Sequence, residues 1–210
     1  MATTLSGWPT LDNPDWGDPR LTRLVVPGTP CVFYGRADVA PYFVAMIMDY
    51  ARTIAPLTKR DDVDAYDARP ARAGGGRASD HYGGVAVDLL ASGVGAQGSS
   101  NRSFWLRKEP QVVALLKKYS LLYWGGDASI GEGEFRGRYH NAYIDPMHFY
   151  ARPGTDVAAF KAEIARMKIR SDGTTAPAYS AHILHLLTMR KHGKHLSAHQ
   201  LHELHVALGR

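Results

Sequence analysis

The stretch Ser79-Asp80-His81-Tyr82-Gly83-Gly84-Val85-Ala86-Val87-Asp88-Leu89-Leu90 joins a polar, glycine-containing loop to an apolar run. The run from Gly84 to Leu90 predicts a buried strand, because apolar and β-branched residues dominate it. The glycines allow the backbone before this strand to pass close to a metal without a side-chain clash. His81 in the loop and Asp88 in the strand belong to the residue types that bind zinc. This unit therefore predicts two ligands of one metal site.

A second segment, Asp145-Pro146-Met147-His148-Phe149, carries the same side-chain types. It lies in a run from Ala142 to Ala151 that predicts a strand, which Pro146 marks as an edge or bulged strand. His148 would supply a third ligand, and three protein ligands leave the fourth tetrahedral position of zinc for water. Spacing alone leaves open the alternative that these side chains are structural and hold no metal.

Asp145 is the candidate general base of this site. It lies three residues before His148, so on a regular strand the two would face opposite sides. A bulge at Pro146 would bring both to the same side. Asp145 could then take a proton from the water and pass it to the departing amine.

Capping and turn signals predict short elements around these two segments. Residues 1 to 30 are rich in Pro, Gly and Asp and predict an extended, loop-dominated lead-in. The further predictions are a helix from Ala37 to Ile54 capped by Asp38, a helix opened by Pro110 and running to Tyr119, a strand from Leu121 to Trp124, a helix capped by Asp156 and running to about Lys168, and a last helix with a capping box of Ser197 and Gln200.

The composition of the 210-residue chain is that of a globular protein. Hydrophobic residues make up 45% and charged residues 21%, which is enough for a real core. The net charge of +5 favours polyanions, which include nucleic acid, anionic lipid and a cell wall with acidic polymers, and does not choose among them. Nucleic acid is not an expected partner, because the chain has no long Lys/Arg run and no basic stripe with aromatic residues. Cys31, the one cysteine, is expected to be a buried hydrophobe.

The sequence also predicts two domains and a location. A composition rich in Ser, Asp, Gly, Thr and Pro from Ser171 to Pro177 indicates a linker. It separates a domain of residues 1–170 from a tail of residues 171–210, which holds seven of the ten histidines. The N-terminus does not resemble a signal peptide, and the longest apolar run, Val39 to Met48, is too short to span a bilayer. The chain is therefore expected to be made in the cytoplasm.

The order of these motifs resembles that of the zinc D-alanyl-D-alanine carboxypeptidases, a family that includes the L-alanyl-D-glutamate endopeptidases of bacteriophage lysins. The first segment matches the Ser-x-His-x-x-Gly-x-Ala-x-Asp motif of the family at all five fixed positions. The second segment resembles its Asp/Glu-x-x-His motif, often followed by Phe. The stretch from Trp124 to Asp127 resembles its Trp-Gly-Gly motif, and residues 66 to 72 resemble its Tyr-x-x-Arg-x-x-Arg lead-in. The resemblance covers roughly residues 25 to 152.

The resemblance implies an α+β fold, in which helices flank a small antiparallel sheet, and a zinc ion on His81, Asp88 and His148. It implies Asp145 as general base. It also implies an arginine that binds a substrate carboxylate or polarises the scissile carbonyl, for which Arg72 is the first choice and Arg69 the second. Further substrate contacts are expected from Ser79 and Trp124. The sequence departs from the family at position 80, where Asp stands and Asn is common, and in a long loop between Asp127 and Asp145.

The expected function is hydrolysis of the peptide stems of bacterial peptidoglycan. The bond would be the D-Ala-D-Ala bond of a carboxypeptidase substrate or the L-Ala-D-Glu bond of an endopeptidase substrate. With a wall substrate and no signal peptide, the chain is expected to be a phage endolysin released through a holin, or a lysin carried on the virion. The alternative is a binding module: a wall-recognising or structural component of a phage tail assembly with reduced catalytic activity.

Overall fold

The computed structural model describes residues 2–11, 18–66, 78–89, 102–126, 146–175, 186, 189–191 and 196–207. These residues form helices and small antiparallel sheets, so the predicted α+β class is confirmed. The chain divides into two compact units, residues 1–175 and residues 176–210. Within the described ranges, no helix has the length and apolar character needed to cross a lipid bilayer.

The described elements are short strands and longer helices. A two-stranded hairpin precedes a four-stranded sheet, and every pairing in both is antiparallel. The elements in chain order are β1 (Leu21–Val25), β2 (Val32–Arg36), α1 (Ala40–Thr53), β3 (Val63–Asp64), a 3-10 turn (Asp80–Gly83), β4 (Ala86–Leu89), α2 (Arg102–Lys118), β5 (Leu122–Trp124), β6 (His148–Ala151), α3 (Val157–Arg166) and α4 (Ala198–Ala207).

The four-stranded sheet has the order β3-β4-β6-β5 and two different faces. Because side chains alternate along a strand, residues two apart share a face. One face belongs to the main hydrophobic core through Val63, Val87, Leu89, Phe149, Ala151 and Leu122. The opposite face carries Asp88 and His148, and beside them a separate apolar cluster of Ala86, Tyr123 and Tyr150. The polar side chains of the candidate site therefore do not interrupt the core.

Helix α1 is the centre of that core. Tyr42, Phe43, Met46, Ile47 and Tyr50 are all at most 2% exposed. The predicted helix is confirmed, but its predicted cap is wrong. Val39 is the N-cap residue and has no side-chain cap hydrogen bond, whereas the Asp38 carboxylate lies 3.6 Å from Arg36 Nε.

Two predicted boundaries are corrected by long-range packing. Pro110 does not open a helix but lies inside α2, which starts at Arg102. Trp105 in the earlier part of this helix is 5% exposed and packs against Tyr50 and Trp124, so burial stabilises the turns that precede the proline. The loop-dominated lead-in likewise contains strand β1, because β2 pairs with it along its whole length.

Several local predictions are confirmed. The Asp156 carboxylate accepts a hydrogen bond from the Ala159 amide and caps α3. Ser197 and Gln200 exchange the two hydrogen bonds of a capping box. Cys31 is fully buried, and its burial raises the pKa of the thiol. The predicted strands exist with shorter bounds at β4, β5 and β6; residues 142–145 of the last prediction lie outside the described residues.

The first part of the predicted linker is an ordered turn. Ile169 and Thr175 form an antiparallel bridge, and the Arg170 amide donates to the Thr174 carbonyl over 2.7 Å. Gly173 lies at the tip with a φ of 81°, close to the side chain of Val44. The second unit has a small apolar cluster of its own, formed by Leu186, Leu196 and Leu204.

Gly173→Ala is expected to destabilise the protein more than Gly154→Ala. Both glycines have a left-handed φ, 81° and 82°, which costs an alanine about 1–2 kcal/mol. An added Cβ would meet nothing within 4 Å at Gly154 but would lie 2.2 Å from Val44 Cγ1 at Gly173. Overpacking of that kind costs a further ~1–3 kcal/mol. Urea denaturation measures the free energy of unfolding of both variants. Equal losses of this free energy would contradict the packing of the turn against α1.

Candidate metal centre

His81 is held by a short 3-10 turn directly before β4. The Ser79 hydroxyl caps this turn by accepting a hydrogen bond from the His81 amide over 3.3 Å. Gly84 ends it with a φ of 65°, and a Cβ there would lie 2.9 Å from the Arg36 backbone nitrogen. Position 84 therefore requires glycine for two reasons, the left-handed backbone and the close approach of β2.

Asp88 and His148 are brought together by strand register. They are directly opposite residues of the antiparallel pair β4 and β6, although 60 positions separate them in the chain. Directly opposite residues share a face of the sheet, with Cβ atoms about 4.5–5.5 Å apart. Phe149, the next residue on β6, faces the core and is fully buried. A shift of one residue in register would exchange these faces.

The three predicted ligands converge on one point. His81 Nε2 lies 3.1 Å from His148 Nδ1 and 3.2 Å from Asp88 Oδ1, and His148 Nδ1 lies 2.8 Å from Asp88 Oδ1. Three ligand atoms at about 2.0–2.1 Å from one tetrahedral zinc are separated by about 3.3–3.4 Å. The triangle is thus slightly smaller than that of a zinc site. In the described part of the chain it is the one group of three such side chains close enough to share an ion.

The hydrogen bond on the far side of His81 determines which nitrogen faces this point. His81 Nδ1 contacts the carbonyl oxygen of Ala65, just after β3. A carbonyl oxygen only accepts, so Nδ1 carries the proton and Nε2 presents a lone pair. Such a bond is the usual partner of a metal-binding histidine, because it fixes the tautomer and the orientation of the ring.

This assignment leaves too few protons for the triangle. In the neutral form His81 Nε2 and Asp88 Oδ1 are both acceptors, and a proton on His148 Nδ1 can be donated to one of them at a time. One contact therefore places two lone pairs face to face, unless His81 is charged. A divalent cation would satisfy all three atoms together, so the residues present fit a metal.

The electrostatics of the metal-free site follow from burial and pairing. Burial lowers the pKa of His81, but the hydrogen bond and charge of Asp88 outweigh it, and this pKa is raised overall. Burial raises the pKa of Asp88, but its hydrogen bonds to His148 and His81 outweigh it, and this pKa lies far below its usual range. The exposed carboxylate of Asp64 lies opposite Asp88 in the register of β3 and β4. Directly opposed like charges repel, which a cation nearby would relieve.

Ser79 and Trp124, which were predicted to contact the substrate, contact the segments that carry His81 and His148. The Ser79 hydroxyl caps the turn that holds His81. Trp124 packs with the main core, and its Nε1 donates to the Pro146 carbonyl over 2.6 Å. The adjacent Gly125 amide donates to the His148 carbonyl over 2.8 Å. The Trp-Gly pair thus ties β5 to the segment that carries His148.

The remaining predicted residues, Asp145, Arg72 and Arg69, lie outside the described residues. Sequence reasoning missed two partners of the ligands. The Ala65 carbonyl gives no side-chain signal and could not have been found. Tyr150, stacked on His148 with ring centroids 5.0 Å apart, could have been inferred from its position two residues further along the same strand.

Comparison of the chain with protein-family models, curated protein sequences and solved structures gives no match.

The melting temperature of chelator-treated protein is expected to fall as the pH rises from about 6 to 9. The folded-state pKa of His81 is above the unfolded value of 6.5, so its stabilising effect is complete below that value and is lost as the pH rises through the folded pKa. The contribution of Asp88 is present above its unfolded pKa of 3.8 and is constant in this window. Zinc should reverse the trend, because it binds neutral imidazole and the melting temperature that it adds should grow with pH.

Differential scanning fluorimetry with and without zinc measures both trends. Asp88→Asn is the control, because it removes the main cause that raises the His81 pKa. The melting temperature of the chelated wild type, relative to that of this variant, should fall as the pH rises to the folded pKa of His81. Above that pKa the difference between the two melting temperatures should no longer change with pH. A chelated wild type that becomes more stable from pH 6 to 9, relative to Asp88→Asn, would contradict the pairing.

Proposed function

We propose that this chain is a zinc-dependent peptidase that hydrolyses the stem peptides of bacterial peptidoglycan. The observation that carries the proposal is the triangle of His81 Nε2, Asp88 Oδ1 and His148 Nδ1, with all three separations between 2.8 and 3.2 Å. Two neutral imidazoles and one carboxylate are a ligand set typical of catalytic zinc, which keeps one position open. The substrate class is supported by the family resemblance of the motifs around these residues.

The proposed reaction gives each site residue a role beside the metal. When bound, zinc would supply a Lewis acid for the scissile carbonyl and would lower the pKa of water to about 7. His81, Asp88 and His148 would hold the ion. Asp145 would accept the proton of the attacking water and return it to the departing amine. Arg72, or Arg69 in its place, would bind a carboxylate of the peptide through paired hydrogen bonds.

The geometry of the ligands supports a site that forms before the metal arrives. The His81 ring is held through Nδ1 and is 2% exposed as a residue, and Asp88 is 5% exposed. His148 is more accessible, with 17% of its side chain exposed. His81 and Asp88 are thus buried and His148 is more exposed. This arrangement suits a catalytic metal, because the peptide must reach one side of the ion.

Alanine variants of His81, Asp88 and His148 are expected to lose the zinc equivalent and to hydrolyse stem peptides more than about 100-fold more slowly. His202→Ala is the matched control, because this exposed tail histidine lies outside the triangle. It should keep one tightly bound zinc and the wild-type rate. Elemental analysis after chelator exchange gives the metal content, and mass spectrometry of defined muropeptides gives the rate and the bond that is cut.

The outcomes separate the candidate functions. Release of terminal D-Ala would indicate a carboxypeptidase, and fragments ending at L-Ala would indicate an endopeptidase. Zinc binding without hydrolysis of any muropeptide would favour the wall-recognising or tail-assembly module. A wild-type chain without bound zinc, or a His148→Ala protein with full occupancy, would overturn the metal assignment.

Asp145→Asn is expected to keep zinc and the fold but to lose about 10²–10⁴-fold in kcat, because an amide cannot accept the proton. Zinc content and the melting temperature measured on the same sample separate loss of chemistry from loss of structure. A wild-type kcat would assign the base elsewhere, and Glu132 and Glu134 would be the next carboxylates to replace.

A further inference from the structure

The N-terminal segment, residues 2–11, lies against the turn that carries His81. Thr4 forms a parallel bridge with Ala78, and the Leu5 amide donates to the Ala78 carbonyl over 3.1 Å. At the other end of the segment, the Leu11 amide donates to the Tyr82 carbonyl over 3.0 Å. The segment therefore binds the backbone on both sides of His81.

Asp80, the residue directly before His81, is joined to this segment by its side chain. Its Oδ1 accepts a hydrogen bond from the Ser6 amide over 2.9 Å and another from the Ser6 hydroxyl. Asp80 is 3% exposed and Ser6 is 4% exposed. A carboxylate is costly to bury unless hydrogen bonds replace its water, so the folded turn needs Ser6 as a partner.

The segment also reaches the other support of the His81 ring. Leu11 accepts a hydrogen bond from the Tyr66 hydroxyl over 3.3 Å, and Tyr66 follows Ala65, whose carbonyl holds His81 Nδ1. At Gly83 the packing is so close that a Cβ would lie 2.9 Å from Thr4 Cγ2. Both the backbone and the ring of His81 are thus fixed by parts of the chain that the segment contacts.

We propose that the N-terminal segment is a part of the metal centre, with Ser6 and Asp80 as positioning residues that hold His81 in its ligating orientation. The inference rests on the proposed zinc site but concerns what sets its affinity. Residues that orient a metal ligand through hydrogen bonds typically change metal affinity by about 10–100-fold.

Ser6→Ala and Asp80→Ala are each expected to weaken zinc binding about tenfold. The double variant should lose little more than Asp80→Ala, because Asp80→Ala already removes both Ser6 bonds and Ser6→Ala removes only the bond of the hydroxyl. The dissociation constant of zinc is measured on the full-length chain by competition with a chromophoric chelator. The chelator removes zinc from weaker sites, so the constant describes the tightest site alone. Equal, wild-type constants in all three variants would overturn the inference.

Two controls separate positioning from general stability. Asp80→Asn keeps an oxygen that can accept both Ser6 bonds and should bind zinc within about twofold of wild type. Thr29→Ala removes a comparable side-chain contact, the bonds of the Thr29 hydroxyl with Val26 and Cys31 in the loop of the β1–β2 hairpin. It should lower the melting temperature and leave the zinc constant unchanged. An equal loss of affinity in Thr29→Ala would overturn the positioning role.

Hydrogen exchange on the wild-type chain tests the same coupling without a substitution. If the segment favours zinc binding, zinc must favour the docked segment by the same factor. Exchange of the Leu5, Ser6 and Leu11 amides should therefore slow about tenfold with saturating zinc, relative to the Val26 amide of the hairpin. No slowing at these three amides would overturn the inference even if a variant fails to fold.

The failure of this inference differs from the failure of the proposed function. A wild-type chain that binds zinc tightly, with variants that bind it equally well, overturns the inference alone. A wild-type chain that binds no zinc overturns both.

Discussion

A buried carboxylate between two imidazole nitrogens is the interaction on which the rest of this structure depends. Asp88 is 5% exposed and has one oxygen within 3.2 Å of both His81 and His148. A buried charge is stabilising only when its partners are in place, and the loss of one partner leaves an uncompensated charge. The fold must therefore bring the 3-10 turn and β6 to Asp88 together, whether a proton or a metal completes the cluster.

The four-stranded sheet that holds Asp88 and His148 consists of very short strands. Its strands have two to four residues each, so their hydrogen bonds alone would not hold them in register. Val87 and Phe149 bury the core face at 1% exposure or less, while their neighbours Asp88 and His148 face the other way. Because side chains alternate along the strands, burial of Val87 and Phe149 also fixes the positions of Asp88 and His148 on the opposite face, outside the core.

Hydrogen bonds that involve the backbone provide much of the orientation of His81 and His148. The Ala65 carbonyl holds the His81 ring, the Gly125 amide holds the His148 backbone, and the Ser79 hydroxyl holds the His81 amide. Each of these contacts restrains His81 or His148 without the help of a metal. Preorganisation of this kind would limit the rearrangement that binding of a metal requires. The N-terminal segment extends the same network beyond the sheet.

Much of the molecule follows from local sequence. Capping by Asp156, the Ser197 and Gln200 box and the strand that contains Asp88 follow from neighbouring residues, and all were predicted. The burial of Cys31 was predicted from the apolar residues that follow it. The three residues that converge were predicted as well: their side-chain types made them candidates, and the family resemblance of the two motifs selected them. Local signals failed at Pro110, where the distant contacts of Trp105 outweighed them, and at Asp38, whose carboxylate lies near Arg36 and does not cap α1.

Tertiary structure alone decided how those side chains meet. The pairing of Asp88 with His148 spans 60 positions, that of His81 with His148 spans 67, and that of Ser6 with Asp80 spans 74. The sequence by itself determined which residues could bind a metal, since that depends on their chemistry. Register, the choice of ring nitrogen and the carbonyl that selects it depend on contacts between distant backbone segments. Those contacts form only when the apolar face of the sheet is buried, because burial of that face, and no local preference, fixes the strands relative to one another.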